Sequence, residues 1–225
     1  MSSVIGPQAP EAGAIPELDF GVDGAEPAEY AAAPTLVLRL RISSGGLAVR
    51  SVLLDVQIQI AARRRSYDAE AEGRLAELFG TPERWGETLR TLPWERSTLV
   101  VPPFTDATIV DLPVACSYDL EVAASRYLYA MKEGTIPLEL LFSGTIFFSG
   151  ADGNLQAARI PWTHEAEYDL PASVWHDTMD SHFPNSAWIR VDRACFDRLN
   201  DHRSRRGDVS WEATFDSLLE DARDE

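Results

Sequence analysis

The sequence predicts a mainly β fold: an antiparallel β-sandwich with a helical insertion and a helical C-terminal appendage, α+β in class. Three observations carry that expectation. Apolar and polar residues alternate at period two through much of residues 35–60. The run 137–149 is apolar on both faces, as a central strand covered twice must be. Helical periodicity is confined to about 66–89 and to residues beyond 170, so strands do not alternate with helices as a parallel sheet would require.

The elements follow in order. Residues 1–16 are rich in Pro, Ala and Gly, lack apolar periodicity, and read as a disordered acidic lead. "LDFGV" (18–22) is a short alternating strand. In "TLVLRLRI" (35–42), Leu36, Leu38, Leu40 and Ile42 point one way while Thr35, Arg39 and Arg41 point the other. "SSGG" (43–46) reads as a hairpin turn, after which Val52, Leu54, Val56, Ile58 and Ile60 line the buried face of a second strand. The period then changes. Ser66 is placed to cap a helix that Gly80 ends, and Thr81 with Pro82 restarts it. Extended structure is expected again in "STLVV", "ATIVDLPV", "SYDLEVAA", "IPLELLFSGTIFFS" and "LQAARIPW", with "SGADGN" (149–154) as a second hairpin turn. A helix is expected over about 174–183, another from an Asp192 cap to Gly207, and a last one from Ser210. The expected organisation is thus a lead over 1–16, a sandwich of about eight strands over 17–170, and a helical appendage over 171–225 packed on it.

Composition narrows the function classes. The net charge of −16 argues against nucleic-acid or anionic-membrane binding, which needs a basic face. No stretch is apolar enough for a membrane span, and the start "MSSVIGPQAPEAG" has no cationic, apolar leader, so a cytoplasmic location is expected. Cys116 and Cys195 have neither disulfide-scaffold nor metal spacing and read as small core residues. Phosphate-loop, dinucleotide, nucleophile-elbow and zinc-protease motifs are all missing, so no catalytic residue and no cofactor are assigned.

Two clusters remain as candidate sites. "SVWHDTMDSHF" (173–183) concentrates two histidines and two aspartates. At 100° per residue, Val174, Trp175, Thr178 and Met179 share one arc, while His176 and Asp180 lie beyond it as i, i+4 neighbours. They could supply two ligands of a metal site only if a remote histidine, His164 or His202, completed it. A solvent-exposed pair is the simpler reading. The second cluster is the insertion, where Arg63, Arg64 and Arg65 stand at one end and Trp85 and Trp94 at the other. Arginine and tryptophan are the residues in which binding energy concentrates, and an insertion can vary without breaking a core. These five are the candidate partner-binding residues. The arginines could equally do no more than balance the acidic run Asp68, Glu70 and Glu72.

"YAAAPTLVLRLRI", "LAELFGTPERWGETLR", "SYDLEVAASRYLYAMKEGTIPLELLFSGTIFF" and "HFPNSAWIRVDRACFDRLNDHRSRRG" together resemble an uncharacterised bacterial family, mainly actinobacterial, associated with gene clusters for nickel–iron hydrogenases. The resemblance spans most of 17–220. It implies a non-catalytic accessory protein that binds another protein, hydrogenase or its maturation machinery. It brings no catalytic residues. Two alternatives stay open: a metal-binding enzyme or carrier built on His176 and Asp180, and a structural subunit that self-associates.

Overall fold

The computed structural model describes residues 14–119, 122–186 and 189–223. Most of the expected acidic lead, residues 1–13, lies outside the described residues; of its remainder, Pro16 is buried. By contacts the chain forms two compact units, Met1–Ala187 and Trp188–Glu225.

The first unit is built on β2 (Thr35–Ile60), a 26-residue strand. The others are β1 (Asp19–Pro27), β3 (Leu92–Val101), β4 (Phe104–Ala115), β5 (Thr135–Ser149), β6 (Leu155–Ile160) and β7 (Glu165–Pro171). All seven belong to one antiparallel sheet. β4 and β3 lie end to end along one side of β2, from Ala115 opposite Thr35 to Leu92 opposite Ile60. On the other side β1 covers Leu36–Ser43 and β5 covers Val49–Ile60. β6 and β7 repeat this end-to-end arrangement on the far side of β5.

One contact shows that the sheet folds over. Phe20 stands opposite Ile42 and Phe142 opposite Val56, positions about 46 Å apart along a straight strand. Yet the two rings stack with centroids 4.1 Å apart. β2 must therefore bend between its halves, and the expected sandwich arises from one sheet closing on itself. Its filling comes largely from alternate residues of β2: Leu36, Leu38, Leu40, Ile42, Val52, Leu54, Val56, Ile58 and Ile60 are fully buried.

Two expected elements need correction. "SSGG" is not a hairpin turn. β4 pairs with β2 on both sides of it, so Ser43–Ala48 is a bulge within one strand, with Gly45 and Gly46 at φ 61° and 87°. Turns and bulges draw on the same left-handed glycines; only the pairing partner distinguishes them. The described residues of "SYDLEVAA", 117–119 and 122–124, are not a strand either. Their end opens α3 (Ala123–Ala130), which buries Ala124, Tyr127 and Leu128 at helical spacing.

The insertion holds α1 (Ala69–Phe79) and the short α2 (Trp85–Thr88). Asp68, not Ser66, caps α1, accepting the Ala71 N–H. α4 (Ala172–His182) belongs to the first unit and buries Trp175, Thr178 and Met179. The second unit pairs α5 (Arg193–Arg206), capped by Asp192 and ended by left-handed Gly207, with α6 (Trp211–Asp221), capped by Ser210. Among the described residues no helix is long and apolar enough to cross a membrane.

Candidate functional surface

The three arginines of the insertion are engaged by their own chain. Arg63 donates through Nε to the Leu89 carbonyl, which ties the two ends of the insertion together. Arg64 pairs with Glu167 of β7 at 2.6 Å. Arg65 donates to the carbonyls of Thr135 at 2.6 Å and Glu133 at 2.8 Å, clamping the entry to β5. Their partners are thus distant in sequence and are not the adjacent acidic run.

Trp85 is half-buried, donates through Nε1 to the Gly80 carbonyl at 2.9 Å, and packs edge-on against Tyr67 and Phe79. Tyr67 and Tyr127 share a 2.7 Å hydroxyl contact beneath it, and burial pushes both phenols up in pKa. Trp94 sits at the other end, lining a shallow depression of about 410 Å³ with Gln57, Pro93, Glu95 and Arg96. The insertion does not bring Trp85 and Trp94 together with the arginines as one cluster.

On α4 the expected arc is observed. His176 leaves the buried stripe and approaches the Met131 carbonyl through Nε2 at 2.8 Å, a contact that needs a proton on that nitrogen. Asp180 instead lines an open cleft of about 470 Å³ with Tyr118, Tyr129, Pro184, Asn185 and Ser186. Beside it the chain's single lysine, Lys132, lies 4.0 Å over the Tyr129 ring. Burial and then Arg74 lower the lysine's pKa. His164 packs edge-on against Phe20. Among the described residues no group of three His, Cys, Asp or Glu side chains is placed to hold a metal ion. Cys116 is buried, and burial pushes its thiol up to about 12, which leaves it unreactive at neutral pH.

Some of the exposed apolar chemistry lies on the solvent face of the sheet. Val100 of β3 stands directly opposite Leu53 of β2, and the two are 68% and 43% exposed. Thr145 of β5 is Leu53's partner on the other side. One step along, Phe147 faces Ser51 and Ala157, and Leu155 faces Ser149 on the same side of the sheet. Gln57 and Arg96, register partners two rows away, connect this patch to the Trp94 depression. Trp162, in the break between β6 and β7, is 85% exposed.

Sequence reasoning did not single out Leu53, Val100 or Trp162. The period-two pattern marks the inner face clearly, but an apolar residue on the outer face reads as noise until its cross-strand neighbour is known.

No curated protein matches the chain. Among solved structures, the CARDB domain of the PF1109 protein of Pyrococcus furiosus, in complex with di-metal ions, aligns at 9% identity and a TM-score of 0.29. The alignment covers 72% of this chain and 93% of that one. The putative ApaA protein of Bordetella pertussis aligns at 12% identity and a TM-score of 0.22, covering 70% and 96%. Residues 15–225 match a family of unknown function, DUF6084, and the chain belongs to that family.

Proposed function

We propose that this is a non-catalytic, cytoplasmic accessory protein that docks another protein, in the expression, assembly or maturation of a nickel–iron hydrogenase. The observation that supports docking is the Leu53–Val100 pair, two aliphatic side chains left in water at directly opposed positions of a well-formed sheet. Burial of such a pair against a partner contributes roughly 25 cal/mol per Å². Trp94 and Arg96 at one end of the same face supply the aromatic and guanidinium chemistry in which interface energy concentrates. In this reading Arg63, Arg64 and Arg65 hold the insertion that carries Trp85. The hydrogenase setting rests on the family resemblance and is the part most directly tested.

The experiment is affinity purification of the tagged chain from its own host, beside a Leu53→Asp/Val100→Asp variant. Hydrogenase subunits or maturation proteins are expected on the wild type. They should be lost from the variant, by about 2 kcal/mol or thirtyfold in affinity, while its circular dichroism shows that it stays folded. Equal retention by a folded variant would move the docking face elsewhere. Retention of no hydrogenase-related protein would remove the setting.

A further inference from the structure

Among its described residues, 189–223, the second unit has almost no interior of its own. α5 buries no side chain, and α6 buries only Thr214, whose hydroxyl bonds to Asp208 at 3.0 Å and to the Ser210 carbonyl. The unit counts 38 residues from its bounds, too few to build a sizeable hydrophobic core of its own. Cys195 is free, and no metal-holding group is present among the described residues. The apolar side chains are there but exposed: Ile189 at 69%, Phe196 at 43%, Val209 at 98% and Leu219 at 60%.

Charge says what fits them. α5 carries Arg193, Arg198, Arg203, Arg205 and Arg206 against Asp197 and Asp201, a net of +3. α6 carries Glu212, Asp216, Glu220 and Asp221 and no base, a net of −4. Within the hairpin Arg206 reaches Asp208 and Asp221 at 3.8 and 3.9 Å, and Arg203 lies 4.5 Å over Trp211. Among the described residues Arg193, Arg198 and Arg205 form no ion pair, and neither do Asp216 and Glu220. A surface basic on one helix and acidic on the other is complementary to itself when turned about a two-fold axis. Closed two-fold pairing is also the commonest way a chain meets its own copy.

We infer that the α5–α6 hairpin packs against the same hairpin of a second copy, forming a two-fold four-helix bundle with each α5 over its partner's α6. The helices suit this in length, at 14 and 11 residues or about 21 and 17 Å. The bundle buries Leu219, and it sets Arg198 and Arg205, which form no ion pair among the described residues, against Asp216 and Glu220 of the other copy. The inference is independent of the docking face on the sheet, and its test needs no other protein.

Light scattering on the full-length chain is expected to show a dimer in 50 mM salt, with a Kd rising about tenfold or more by 500 mM as exposed ion pairs are screened. Two charge-reversed chains make the test specific: Arg198→Glu/Arg205→Glu, and Asp216→Arg/Glu220→Arg. Each alone sets like charge against like in a homodimer and should run as a monomer with unchanged helicity. Mixed in equal amounts they restore opposite charge at both contacts, and a one-to-one heterodimer should appear. A wild-type chain that stays monomeric at about 100 μM in low salt overturns the inference. So do reversed chains that each remain dimeric, or that fold but fail to pair when mixed.

Discussion

The two halves of β2 have the same inner face and opposite outer faces. Before the bulge, its solvent side is held by charge: Arg39 lies 3.6 Å from Glu26 and 3.2 Å from Asp111, and Arg41 lies 3.1 Å from Asp23. After the bulge, Leu53 faces Val100 and Thr145, with Phe147 on the next row. The inner residues Leu38 and Ile58 are equally and fully buried. Folding therefore does not require the second half to be apolar outside. Exposed ion pairs would have kept it soluble at little cost in stability, as they do in the first half. What the difference teaches is that the outer face of a sheet is where function can be written without disturbing the fold.

The largest effect should come at Gly144, where β5 leaves no room for a side chain against β2. Gly144 has φ 142°, and a Cβ there would collide with the Leu53 carbonyl, a backbone atom that cannot swing aside. Gly144→Ala is expected to cost on the order of 4 kcal/mol, read as a drop in denaturant midpoint. A loss below about 1 kcal/mol would mean that the strands separate readily here and that the second half is looser than the first.

Next come the inner faces. Leu38→Ala and Ile58→Ala should each cost about 3 kcal/mol, within about 1 kcal/mol of one another, in a single cooperative transition. Fluorescence and circular dichroism should give coincident curves. Separate transitions would show that the bulge divides β2 into two folding units, and the shared-core comparison would break.

How much of this was legible in the sequence depends on the range of the interaction. The alternation in 35–42 and 52–60 identified both halves of β2, and the doubly apolar 137–149 identified β5, because side-chain period is a local property. Asp192, Gly207 and Ser210 also marked helix ends correctly, since capping acts within a turn. The bulge was misread as a turn because Gly45 and Gly46 look alike in either setting, and β4, which decides the matter, lies about sixty residues away. The same range limit applies to the site. His176 and Asp180 could be placed off the buried arc from helix geometry alone, but their neighbours, Met131 and Tyr118, come from other elements. The arginine triplet was visible as charge, and its partners Leu89, Thr135, Glu133 and Glu167 were not.

Alkaline pH separates the halves by a different property. Cys116 follows β4 along the first half, its N–H donating to the Pro34 carbonyl, and its thiol is raised from 9.0 to about 12 by burial. An acid whose folded pKa is raised ionises first in the unfolded chain. Its contribution is therefore intact below pH 9 and is lost progressively as pH rises toward 12. Stability should fall by up to about 1.4 kcal/mol per pH unit over that window. In Cys116→Ala the decline should start nearer pH 10, where Tyr67 of the insertion and Tyr127 of α3 begin to act in the same sense. A decline of unchanged onset in the variant would show that the thiol is not sealed in the folded chain.

The smallest effect should come from the charged outer face. Arg39 and its partners are about half exposed or more, so water and salt screen their attraction, and holding long side chains in place offsets part of what remains. Arg39→Ala is expected to lower stability by about 0.5 kcal/mol in 50 mM salt and by less than that in 500 mM. It should leave retention of host proteins unchanged, because around Arg39 the sheet presents solvated ion pairs, with Ile109 opposite Arg41 the exposed aliphatic side chain nearby. The comparison is sharpened by running this variant beside Leu53→Asp/Val100→Asp. The first should move the melting curve slightly and binding not at all, and the second should remove binding while the chain stays folded. If Arg39→Ala also abolishes retention, the docking face extends across both halves of β2 and the charged half is part of it.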